Sequence, residues 1–134
     1  MDNESMKSEL VRAADGLLML SETDAPLEYY FHEKPEDGFF DETVVVQWAG
    51  KPAGKKVEVQ EVDYFFRNMM NTYPDDVDKR KQDAERFRQL VVTLKNLLQD
   101  VKVYRIHEIG IDVFILGRTP DGNYAGYKTL VVET

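Results

Sequence analysis

The chain of 134 residues closes on Glu133 and Thr134, a side-chain carboxylate followed by a hydroxyl and, at a chain end, an α-carboxylate. These are hard oxygen donors of the kind that Mg²⁺ and Ca²⁺ prefer. The apolar strand-like residues Leu130, Val131 and Val132 just before them are expected to hold the pair in one place. A second acidic concentration lies near the other end: Glu22, Asp24, Glu28, Glu33, Glu36, Asp37, Asp41 and Glu42. Residues 1–42 carry 12 acidic and 3 basic residues, whereas residues 43–134 carry 13 and 14, so the whole net charge of −8 originates in the first third. Such a balance disfavours direct binding to nucleic acid, whose phosphates call for a basic face. A row of carboxylates has a bland reading as a solvated surface. Its sharper reading is a phosphate mimic that enters a basic groove and is steered there by charge.

Motifs for catalysis are missing. Gly50 and Gly54 with Lys55 and Lys56 look superficially like a phosphate-binding loop, but three residues separate the glycines where four are needed, and Lys56 stands where a hydroxyl belongs. The Asp76-Val77-Asp78 run starts like a calcium loop, yet Arg80 takes the next ligand position and no glycine follows. Helix N-terminal charge is the better account of those acids. His32 and His107 are the only histidines, and His107 beside Glu108 has no nucleophile signature near it. A hydrolase using His107 with Glu108 is therefore a third-ranked reading, and the chain is expected not to be an enzyme. The absence of cysteine excludes a disulfide framework and a thiolate zinc site.

The elements that must position these groups follow from periodicity. Residues 4–20 read as a first helix with Met6, Leu10, Ala14, Leu17 and Leu18 on one face, stopping near Ser21 ahead of Pro26. Residues 27–31 have strand character, and residues 32–42 form an acidic loop. Residues 43–48 are ambiguous, since their β-branched run argues strand while their setting suits a short buried helix. Residues 56–62 alternate like a strand. Residues 63–70 suit a short helix capped by Asp63, with Tyr64, Phe65 and Met69 inward. Residues 77–99 give the clearest helix, with Ala84, Phe87, Val91, Leu94 and Leu98 on one face and Lys79, Arg80, Lys81, Arg86 and Arg88 on the remainder. Residues 101–108, 111–116 and 124–132 read as three antiparallel strands, the last two joined by a Pro120-Asp121-Gly122 turn. The result is one α+β domain over residues 1–134. No run reaches the roughly 20 apolar residues of a membrane span. The acidic opening Met1-Asp2-Asn3-Glu4 is unlike a secretory signal, which makes cytoplasmic the default expectation.

Two blocks of this sequence resemble a known family. Residues 14–22, Ala-Asp-Gly-Leu-Leu-Met-Leu-Ser-Glu, followed by Pro26 and aromatics, are similar to the opening of the nuclease A inhibitor family. The C-terminal block is closer still: Val103-Tyr104-Arg105, Ile111-Asp112-Val113, Gly117, Thr119-Pro120, Gly122-Asn123, Ala125-Gly126 and the closing Val131-Val132-Glu133-Thr134.

The resemblance implies a three-layer α/β/α sandwich with a mixed β-sheet, similar to pathogenesis-related proteins, and a helix at residues 43–48. It also implies a function: inhibition of a sugar-non-specific DNA/RNA endonuclease of the ββα-metal type. Thr134 matches the family position that engages the nuclease's catalytic metal, and Glu22 the glutamate that reaches its active site. Asp24 and Glu133 join the expected contact surface. Tyr73, in the divergent segment 73–76, stands where a family loop could add secondary contacts. The free chain is expected to hold no cofactor, since the Mg²⁺ belongs to the partner, and to be a monomer that binds one nuclease, with no direct nucleic acid or membrane. A non-inhibitory interaction module of the same fold is the alternative.

Overall fold

The computed structural model describes residues 2–19, 24–107 and 110–132. Helix α1 (Asn3–Ala14) opens at Asp2, whose side chain accepts the Ser5 N–H at 2.7 Å, and buries Met6, Leu10 and Ala14. It stops six residues earlier than the apolar spacing predicts. Gly16, at φ +76°, takes the left-handed position that ends helices, and the chain continues as a short strand, β1 (Leu18–Met19). There Leu17 and Met19 are buried while Leu18 is exposed, a period of two and no longer one of 3.6. Strand β1 pairs antiparallel with β2 (Ala25–Pro26), matching Leu18 with Pro26 and Met19 with Ala25.

Next come β3 (Glu28–His32) and α2 (Glu42–Trp48). Residues 43–48 are thus helical. Asp41 caps them by accepting the Thr43 N–H at 2.9 Å, and burial of Val44, Val45 and Val46 outweighs their β propensity. After β4 (Val57–Glu61), the expected single helix is two short ones, α3 (Val62–Phe65) and α4 (Arg67–Met70). The break at Phe66 shifts the buried face to Val62, Phe66 and Met69, and Tyr64 points outward, 52% exposed. Asp63 is not the cap; it lies inside α3 and pairs with Lys95.

Helix α5 (Asp78–Leu97) buries Ala84, Phe87, Leu90, Val91 and Leu94, as its spacing predicts. It leads into the meander β5 (Gln99–Ile106), β6 (Ile111–Arg118) and β7 (Tyr124–Val131). The 119–123 turn is held by Gly122 N–H to the Thr119 carbonyl at 2.9 Å and Thr119 N–H to the Asn123 carbonyl at 2.8 Å. The five-stranded sheet has the order β3-β7-β6-β5-β4, and every described pair is antiparallel. This corrects the mixed sheet implied by the resemblance. The 119–123 turn joins β6 to β7 in the central meander, and both outer strands pair antiparallel with it.

Side-chain alternation along the meander supplies two cores. Val103, Val113, Ile115, Ala125 and Tyr127 pack with α1 and α5. Tyr104, Ile106, Phe114 and Leu116 pack with Val45 and Val46 of α2, and Tyr30, Phe40 and Trp48 border that cluster. Among the described residues no helix is long and apolar enough to cross a membrane.

Candidate partner-binding site

The site expected from the sequence depends on Glu22, Glu133 and Thr134, which lie outside the described residues. Their described neighbours are informative. The β1–β2 ladder ends at Met19 and Ala25, so the chain between these paired positions contains both Glu22 and Asp24. Strand β7 ends at Val131, which pairs with Ile111 at the start of β6. Met19 and Val131 line one cavity of about 420 Å³, and each lies three residues before an expected contact, Glu22 or Thr134. The fold therefore brings together two chain segments that are more than a hundred residues apart in sequence.

The cavity's other walls come from β4, β5, α3 and α4. Arg105 and Glu58 face each other in the β4–β5 register and form an ion pair at 2.7 Å, with the Arg105 side chain only 13% exposed. His107 approaches the same carboxylate, its Nε2 lying 3.8 Å from Glu58 Oε1. Its backbone N–H is bound to the Lys56 carbonyl. His107 thus sits beside the Glu58–Arg105 ion pair at the sheet end, and Glu108 lies outside the described residues.

Asp24 is exposed immediately before β2. Tyr73 is 69% exposed in the connection between α4 and α5, where its N–H donates to Asp76 Oδ2 at 2.7 Å and its carbonyl accepts the Asp76 N–H at 3.0 Å. Asp76 thus serves a local turn. A smaller cavity of about 110 Å³ lies between β1 and α4, lined by Leu18 and Met69.

Part of the acidic excess has structural work. Asp2 and Asp41 cap helices, and hydrogen bonds from Ser5 and from Thr43 hold their carboxyls below the ordinary aspartate range. Asp37 accepts the Phe39 N–H at 3.0 Å, and Glu28 lies 4.0 Å from Lys128. Among the described residues no group of three or more His, Asp or Glu side chains is placed to hold a metal ion. Gly50 and Gly54 take left-handed turn positions with φ of +72° and +90°, and Lys51 pairs with Asp112 at 3.1 Å, so the glycine- and lysine-rich segment is a turn and an ion pair.

The basic side chains of α5 do more than cover a solvated face. Arg80 donates to the carbonyls of Asn68, Met69 and Asn71, and Arg88 to that of Met70, so together they satisfy the C-terminal end of α4. Arg86 does the same for α1 through Arg12, Ala13 and Asp15. The elements around β1 are fixed by these bonds.

Residues 4–134 match the family model of nuclease A inhibitor-like proteins, NuiA. The chain belongs to the NuiA family. No curated protein matches it. The family match covers every residue that lines the larger cavity, Met19 and Val131 included, and it points to an inhibitor-like protein with a nuclease as the kind of partner. The sequence pattern hides the α3–α4 wall of this cavity because its spacing places Tyr64 inside. The available signal was the buried spacing Val62, Phe66, Met69, which leaves Tyr64 and Arg67 outside.

Proposed function

We propose that this protein inhibits a sugar-non-specific DNA/RNA endonuclease of the ββα-metal type by occupying its active site. Glu22 and the C-terminal Thr134 meet the catalytic divalent ion and the groups that bind phosphate, and Asp24, Glu133 and Tyr73 flank them. The observation that supports this reading is the convergence of Met19 and Val131 on one cavity in a chain of the NuiA family. A carboxylate and a terminal oxygen can take the place of a scissile phosphate without offering a bond to hydrolyse. The ion is the nuclease's own. The proposed complex contains one inhibitor and one nuclease, with no nucleic acid bound to the inhibitor. The helices on the two sheet faces support the α/β/α layering implied by the resemblance.

The test is titration of the chain ending at Thr134 into a metal-dependent non-specific nuclease, alongside forms with Thr134 deleted or extended by several residues. Inhibition by the native end and its loss in both altered forms is the expected result. Full inhibition by the extended form would sink the terminal mechanism, and failure against every such nuclease would sink the function. Metal-indifferent binding without inhibition would favour an interaction module instead.

A further inference from the structure

Tyr64 and Arg67 form a preorganised pair on the outer side of α3 and α4. The Arg67 guanidinium carbon lies 3.7 Å from the centroid of the Tyr64 ring, and Arg67 Nη1 donates to the Tyr64 carbonyl at 2.7 Å. Tyr64 is 52% exposed, and Arg67 is exposed and makes no ion pair among the described residues. Arginine elsewhere around this site is used internally: Arg105 binds Glu58, and Arg80 and Arg88 satisfy the end of α4. Among the described arginines around this cavity, Arg67 is the one that carries its charge outward on a stacked, partly immobilised side chain. A local stacking pair would be an ordinary surface feature anywhere else, but both residues line the cavity that Met19 and Val131 share.

The geometry points to Tyr64 and Arg67 as a second binding contact of the nuclease interface, receiving an acidic side chain on the rim of the partner's cleft. This inference rests on the proposed function and goes beyond it, since Glu22 and Thr134 address the metal and basic groups inside the cleft. Tyrosine and arginine dominate interface hot spots because each buries a large area and loses little freedom when already held. A planar guanidinium is shaped for two parallel hydrogen bonds to a carboxylate, and the tyrosine face beneath it excludes water from that bond. Charge complementarity is then two-sided: the acidic hairpin segment meets the basic cleft, and Arg67 meets the acidic rim.

The experiment compares inhibition constants of the wild-type chain, Tyr64→Ala, Tyr64→Phe, Arg67→Ala and Arg67→Glu against one inhibited non-specific nuclease, with melting temperatures recorded in parallel. The expected result is weakening of about tenfold or more for Tyr64→Ala and Arg67→Ala. Arg67→Glu should weaken inhibition further, with slower association at low salt, and Tyr64→Phe should retain wild-type inhibition because the ring is kept. The same losses should appear in a chain lacking Thr134 when residual binding is measured directly. Wild-type inhibition by both alanine variants and by Arg67→Glu at unchanged melting temperature would overturn the second contact alone. A wild-type chain that neither inhibits nor binds any such nuclease would overturn the proposed function and this contact with it.

Discussion

The hydroxyl of Tyr127 donates to the carbonyl oxygen of Leu10 across 2.5 Å, joining β7 to the middle of α1 inside the larger core. Both residues are fully buried. Tyr127→Phe keeps the ring and removes one donor, leaving a buried oxygen short of a partner. The expected loss is about 1–2 kcal/mol. Urea unfolding of the two chains checks it, and an unchanged midpoint would show that the bond contributes nothing net.

Gly126 limits the same strand more severely. It pairs with Tyr30 on one side and Leu116 on the other, at φ +152°, and a Cβ built there would lie 1.8 Å from the Ile115 carbonyl oxygen. That oxygen belongs to the sheet backbone and cannot yield without breaking the ladder. Gly126→Ala should therefore cost about 3 kcal/mol or more. Thermal unfolding measures this, and a melting temperature within a few degrees of wild type would contradict the close approach.

The sequence was legible wherever one periodicity persisted long enough to dominate. The face of α5 is such a place, because Ala84, Phe87, Val91 and Leu94 step by three and four along it, and the meander was legible from its apolar run Val113 to Leu116 and the turn residues Pro120, Asp121 and Gly122. At residues 17–19 Leu17 and Leu18 continue a helical spacing by coincidence, while Gly16 decides the end of α1 through its φ angle. Residues 43–48 needed the Asp41 cap to be weighed against three valines, and burial decided for the helix. The cavity was illegible because it depends on tertiary neighbours: nothing local to Met19 or Val131 announces that they share a wall. Arginine roles were hidden for the same reason. Arg86 looks like helix surface until the carbonyls of Arg12, Ala13 and Asp15 are placed beside it.

That arginine leads to a third expectation. Arg86 Nη1 reaches the Asp15 carbonyl at 2.5 Å just before the chain turns into β1. Arg86→Ala removes three carbonyl contacts at the exposed end of α1, with an expected cost of about 1 kcal/mol. Amide hydrogen exchange should quicken selectively in α1 and in Leu17 to Met19, while the meander stays protected. Uniform acceleration throughout the chain would indicate a global effect and refute a local tie.

Alkaline pH should destabilise the protein through its buried phenols. Burial pushes Tyr104 up to about 12, with the neighbouring Tyr124 and carboxylates adding to the shift, and burial likewise raises Tyr127. An unfolded tyrosine loses its proton near pH 10, so above that point the unfolded chain binds fewer protons than the folded one and stability falls. The contribution is complete below about pH 10 and disappears as pH rises toward 12. For Tyr104 alone the loss amounts to about 2–3 kcal/mol over that interval. Tyr104→Phe should flatten part of the decline in denaturant midpoints measured from pH 9 to 12, and an identical slope would show that another group controls it.

Metal linkage offers a sharper check of the proposed inhibition than activity alone. A terminal residue that contacts the nuclease's divalent ion makes inhibitor binding and metal binding mutually favourable, and the coupling must be equal in both directions. Chelating the ion should therefore weaken binding of the chain ending at Thr134 by about tenfold or more, and the inhibitor should tighten the nuclease's equilibrium affinity for the ion by the same factor. Deleting Thr134 should abolish most of this coupling and leave the remaining affinity insensitive to the chelator. Glu22→Gln should weaken binding whether or not metal is present to the extent that Glu22 addresses basic side chains, so the two effects separate in a double-mutant cycle. Calorimetry with metal-loaded and metal-free nuclease reads both, and equal metal dependence in the full and Thr134-deleted chains would rule out the terminal contact.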